Sequence, residues 1–303
     1  MKRKIYEKQV DLLLQILPEV AKEKMFAIHG GTAINLFVRD MPRLSVDIDL
    51  TYIPIQDRST SLANISEGLL SIASNIKKII PNVHIDVKEK DLKLIVNASG
   101  IIVKVEVSIM NRGIYGDLET RVLCDKAQNT FEAFCEIQSV SLGQLYGGKI
   151  CAALDRQHPR DIFDVKLLME NEGFTQEIEE GFLMLLLCSE RPIHEMLSPN
   201  LLDQSKAFEQ QFEGMTSEAY TYEDYEAIRL NLIKIINDNL TGIDKQLLLN
   251  FKNISSEWND HPFSQFPGVK WKQLNLKKLK VQNPEKHQQL VIKLKEVLNV
   301  KEE

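Results

Sequence analysis

The chain is poor in residues that cross-link or coordinate. Its 303 residues include four cysteines, Cys124, Cys135, Cys151 and Cys188, with no CxxC spacing and no Cys/His cluster. That absence excludes a disulfide framework and a structural zinc site, and it fits a reducing cytoplasm. No apolar run approaches the length of a membrane span. The start, Met1-Lys2-Arg3-Lys4, is basic, but the stretch from Gln9 to Leu17 is amphipathic and acid-bearing, so no signal peptide is expected. A net charge of −6 excludes a generally basic nucleic-acid coat, though not a local basic groove. There is no internal repeat and no low-complexity tract. With 44% hydrophobic residues, the chain can bury one large core or two ordinary ones.

What is present centres on residues 25–50. Met25-Phe26-Ala27-Ile28 is a short apolar run that reads as a buried strand. Gly30 and Gly31 free the backbone to turn, and Thr32 stands where a helix from Ala33 to Val38 would begin. The N–H groups and positive dipole end of that start suit a phosphate. Further on, Val46, Ile48 and Leu50 alternate with Asp47 and Asp49. On a strand this places both carboxylates on one face, about 6.6 Å apart. Hard oxygen ligands so spaced suit Mg²⁺ and the movement of phosphorus groups. A phosphate cradle beside an acid pair reads as nucleotide chemistry.

The rest of the chain frames that stretch. Helical spacing covers residues 5–23, despite Pro18, and residues 59–80. Alternating runs at 83–87, 93–96 and 101–109 read as strands, the last two joined as a hairpin through Asn97-Ala98-Ser99-Gly100. The fold class is therefore α/β or α+β, a mixed sheet with helices. Within Val103-Lys104-Val105-Glu106-Val107-Ser108, Glu106 is the candidate third metal acid; its plain alternative is an exposed strand acid paired with a lysine. Helices are predicted from Ser141 to about Arg156 and again from Pro159. They carry Lys149, a candidate phosphate cation, and Asp164, which would orient a basic residue or the substrate; the alternative is a solvated face with one local ion pair.

Strand signals fade from about Gly173, so residues 1–172 and 173–303 are expected to form a sheet domain and a mainly helical one. Between Ala207 and Ile228 there are six acids, three tyrosines (Tyr220, Tyr222, Tyr225) and no Lys or Arg, a surface for a basic partner or a solvated face. After Gly268 the balance reverses to nine Lys against four Glu, densest at Lys270-Trp271-Lys272 and Lys277-Lys278-Leu279-Lys280, where RNA backbone contact is one reading.

His29-Gly30-Gly31-Thr32-Ala33, Arg43 to Leu50, Lys149 followed by Arg160-Asp161-Ile162-Phe163-Asp164, and Gly268-Val269-Lys270-Trp271 with Asn275-Leu276 together resemble the AbiEii/AbiGii nucleotidyltransferase toxins. The resemblance implies a DNA polymerase β-like fold followed by a helical domain. It also implies a growth-blocking toxin held in check by a cognate AbiEi-type antitoxin. Such an enzyme would take a nucleoside triphosphate with Mg²⁺ and modify the 3′ end of tRNA. Carried over by position, Gly30, Gly31, Thr32, Lys149 and Arg160 would bind the nucleotide. Ser45, Asp47, Asp49 and Asp164 would be catalytic, and Asp47 and Asp49 would hold the metal, with Glu106 added from the strand pattern alone. Related enzymes commonly have Gly-Ser where this chain has Gly30-Gly31, which leaves Thr32 to supply the hydroxyl. Transfer to a protein or small molecule, and a non-catalytic nucleotide-binding module, are the competing readings.

Overall fold

The structure is a computed structural model that describes residues 2–300, apart from the side chain of Glu257. Grouped by contact, the chain forms two compact units. The first runs to Leu145 and takes in Phe208–Ala219; the second is Tyr146–Ala207 with Tyr220 onward. The linear reading draws its line after residue 172, whereas the helices Leu142–Asp155 and Pro159–Asn171 mostly pack with the helical unit. One contact shows why: a Cβ at Gly147 would overlap the backbone of Gly181 and Phe182, so the first helix sits directly against Gln176–Leu186.

The first unit is a seven-stranded mixed sheet. Its strands are β1 (Phe26–His29), β2 (Asp47–Tyr52), β3 (His84–Lys88), β4 (Lys93–Ala98), β5 (Ile101–Ser108), β6 (Glu119–Val122) and β7 (Glu136–Ser139). They lie in the order β3-β4-β5-β2-β1-β7-β6. The expected hairpin is β4 and β5, paired antiparallel from Lys93↔Glu106 to Ala98↔Ile101. At the centre, β2 runs antiparallel to β1 and parallel to β5. Ile28, Ile48, Leu50, Val103 and Val105 are fully buried, each at an alternate position of its strand. Helix Lys2–Ala21 packs on β5 and β7 with Val10, Leu13 and Leu17 inward. It stays continuous through Pro18.

Three elements between residues 110 and 140 carry too little pattern to predict. β6 and β7 have four residues each, and the helix Asp125–Phe131 buries Ala127 alone. β7 nevertheless completes the centre of the sheet by pairing in parallel with β1 at Ile28↔Ser139.

The second unit is helical: Gln176–Leu186, Tyr222–Asn239, Gly242–Asn253, Pro267–Gln282 and Pro284–Val297 are its longer members beyond residue 172. Thr221 and Thr241 each open a helix with a reciprocal capping box, to Asp224 and Asp244. In the acid-rich tyrosine stretch all six acids are exposed, as on a solvated face, while Tyr225 turns into the fold. Tyr225 is fully buried and donates to the Gln157 carbonyl at 2.7 Å. Tyr220 meets Phe163 edge-on at 5.2 Å, and Asp224 is the cap just described. Glu213, in the first unit, pairs with Lys2 at 2.7 Å.

Candidate active site

The helix expected to begin at Ala33 begins at Gly30, directly off the end of β1. It changes to a π-turn over Ile34–Val38. Gly30 has φ +70, a conformation that costs a side-chain-bearing residue of order 1–2 kcal/mol. A Cβ there would also overlap the Asp49 carboxylate, so Asp49 reaches straight to the turn from the neighbouring strand. At Gly31 the equivalent atom would lie 2.8 Å from Arg43 Nη2 and 3.1 Å from Ser45 Oγ. The two glycines are therefore where the backbone admits three polar side chains at close range.

Thr32 closes the arrangement from below. It is fully buried, lies 3.0 Å from Ser45 Oγ, and its hydroxyl donates to the Asp47 carbonyl. That hydroxyl is thus spent on pinning the turn to β2. Asn35 Nδ2 donates to the Gly31 carbonyl at 2.9 Å and fixes the turn from the helix side.

Asp47 and Asp49 sit at alternate positions of β2, with Ile48 between them turned into the core. Parallel pairing aligns Asp47 with Lys104 and Asp49 with Glu106, which places all four on one face. Glu106 also faces Lys93 Nζ at 3.7 Å, the strand ion pair that its plain reading describes. Among the described residues no three His, Cys, Asp or Glu side chains gather closely enough to hold a metal ion. The oxygen donors of Asp47 and Asp49 fit Mg²⁺ in kind, and Glu106 fits by register without being gathered to them.

The remaining sequence-predicted residues lie in the helical unit. Lys149 is buried and its Nζ stands 2.8 Å from Asp161 and 3.0 Å from Asp164, both themselves buried. Arg156 adds a bond to Asp161 at 2.6 Å. Burial pushes the Asp161 carboxyl up, but Lys149 and Arg156 outweigh it and hold it well below the usual range. Two cations thus face two carboxylates, with Lys149, Asp161 and Asp164 buried and Arg156 closing the cluster from the exposed side. Arg160 occupies the first turn of the same helix, Pro159–Asn171.

The cysteines contribute no nucleophile: burial pushes Cys135 and Cys188 up to about 12, and Cys124 and Cys151 upward as well. Sequence reasoning gave no site role to Arg43, although the signal was present. Arg43, Ser45, Asp47 and Asp49 stand at every second position, a polar face that begins before the strand itself.

Asp49 of the β2 acid pair thus closes against the glycine turn that follows β1. The family model for the nucleotidyl transferase AbiEii toxin of type IV toxin–antitoxin systems matches residues 11–239. The chain belongs to this family and is a nucleotidyltransferase toxin of a type IV system. Among solved structures it is similar to MenT4, a nucleotidyltransferase toxin from Mycobacterium tuberculosis, with a TM-score of 0.62 at 11% identity over 90% of this chain and 93% of that one. That likeness is one of fold. No curated protein matches the chain in sequence. Membership implies a nucleoside triphosphate as substrate and an antitoxin as partner. Among the described residues no helix is long and apolar enough to cross a membrane.

Proposed function

We propose that the protein transfers a nucleotide from a triphosphate to the 3′-hydroxyl of tRNA in the cytoplasm, and so blocks translation and growth until an AbiEi-type antitoxin restrains it. The observation that carries this reading is the closure of Asp49, Ser45 and Arg43 onto the Gly30–Gly31 turn. In it, backbone N–H groups of the turn and the Arg43 guanidinium face the triphosphate. Asp47 and Asp49, with Glu106 alongside, would hold Mg²⁺, which supplies charge neutralisation at the phosphates. Ser45 positions the α-phosphate, and Asp49 does so through the metal it would hold, for in-line attack by the acceptor hydroxyl, whose proton passes to solvent as pyrophosphate leaves. Arg160 is assigned to the phosphates; Lys149, buried against Asp161 and Asp164, is assigned to holding the helix that carries Arg160. The lysine-rich C-terminal segment favours RNA over a protein or small-molecule acceptor.

The test is an incubation of the full chain with each of the four labelled triphosphates and separate tRNA, protein and small-molecule pools. Label should enter tRNA, and Asp49→Asn should lower its entry by at least about a hundredfold, the usual scale for removing an electrostatic catalytic group. The same variant should lose toxicity at equal expression. Full transfer and full toxicity in Asp49→Asn would overturn the reading.

A further inference from the structure

Helix Pro267–Gln282 lies beyond the residues that the family model matches. Its five lysines stand without a single acid. Lys272 is spent internally, donating to the carbonyls of Ser189 and Arg191, whereas Lys270, Lys277 and Lys278 are exposed, as is Lys280, which donates to the Asn253 carbonyl at 3.1 Å. Three apolar side chains are exposed with them: Trp271 at 51%, Leu274 at 59% and Val281 at 83%. At 3.6 residues per turn, Lys270, Leu274, Lys277 and Val281 form one stripe, with Trp271 and Lys278 along its flank.

A cleft of about 370 Å³ opens beside this stripe, where Lys270 and Lys277 meet Trp258, Asn259, Ser264 and Gln273. Among the described residues its lining holds no carboxylate. The cleft matches a small planar ligand in size, and its walls join the faces of Trp258 and Leu274 to the two lysines. We propose that this face docks single-stranded RNA, the lysines meeting phosphates while Trp271 stacks on one base and the cleft takes another. The proposal rests on the RNA-acceptor reading above and adds where the acceptor is held.

Charge and lining together choose the occupant. A lipid surface would use the lysines and the exposed apolar side chains but has no use for a ring-sized recess beside them. An acidic protein would use the lysines but leaves an exposed tryptophan beside a base-sized recess unexplained. Phosphates alternating with flat, hydrogen-bonding rings use all three features.

The test measures binding of a short fluorescent single-stranded RNA to the full chain by anisotropy across a salt series. Lys270→Glu with Lys277→Glu should weaken binding at least about tenfold and reduce the log–log salt slope by more than about one, since each lost phosphate contact removes roughly 0.7. Trp271→Ala, a change at an exposed position, should weaken it at least about fivefold. Lys4→Glu with Lys8→Glu, the charge-matched control on the first helix, should change it less than about twofold. Triphosphate binding should be unaffected in all of these variants. Wild-type affinity in both the lysine pair and the Trp271 variant would overturn the surface, as would preference for duplex RNA or for phosphatidylserine vesicles. Because Asp49→Asn should bind this RNA normally while losing transfer, a failure of the catalytic reading leaves a different trace from a failure of this one.

Discussion

Single buried side chains owe their charge to their surroundings. Asp161 is the clearest case, since it is buried between Lys149 and Arg156 and its carboxyl is held well below the usual range. A carboxyl whose folded value lies below its unfolded value of about 3.9 binds its proton less readily in the native state. Its contribution to stability is therefore complete above that unfolded value and is lost as pH falls through the folded one. Asp161→Asn should lower the unfolding free energy at neutral pH by about 3–5 kcal/mol, the usual cost of breaking a buried pair from one side. It should also flatten the acid limb of the stability curve below about pH 4. Urea unfolding of both proteins at a series of pH values checks this. An unchanged acid limb would mean that the cluster does not carry the charge coupling described.

At the scale of elements, a count of lysines hides two different jobs within one helix. Lys272 turns inward and holds the carbonyls of Ser189 and Arg191, and burial lowers its ammonium to about 8. Lys270, two positions earlier, faces solvent. Lys272→Ala should therefore cost about 2–4 kcal/mol by leaving two carbonyls without their donor, while Lys270→Ala should stay within about 0.5 kcal/mol. Thermal and urea melts of the two variants separate the roles, and equal stabilities would refute the division. The same contrast explains what the sequence made legible. Long periodic elements such as Arg58–Ile79 and Ile101–Ser108 declare themselves because many residues repeat one burial choice. The acid pair and the glycine turn were legible because both lie on adjoining elements near one another in the chain. β6 and β7, at four residues each, offer one or two inward positions, which no periodicity can distinguish from loop. The inward turn of Lys272 and Tyr225 is likewise set by partners distant in sequence, which composition does not register.

At the scale of the whole chain, the first unit is not one continuous stretch. Phe208–Ala219 returns to it after the helices that follow Leu145. Met215 is buried there and its carbonyl accepts from the Leu44 amide at 2.8 Å. Thr216 donates to the Pro42 carbonyl at 3.0 Å and pairs as an isolated bridge with Arg43. This return segment therefore braces residues 42–44, immediately before Ser45 and the acid strand. Linear reading could not reveal it, since nothing in residues 208–219 marks a partner more than 160 residues earlier. Met215→Ala removes a buried side chain worth about 2–5 kcal/mol. If the brace acts locally, the Leu44 amide should exchange its hydrogen more than about tenfold faster, while amides within Tyr222–Asn239 keep their protection. Transfer activity should fall with the loss of order at Arg43 and Ser45, because small misplacements of positioning groups are costly in rate. Exchange that rises equally in Tyr222–Asn239 would show instead that the two units unfold together and that the segment stabilises the chain as a whole.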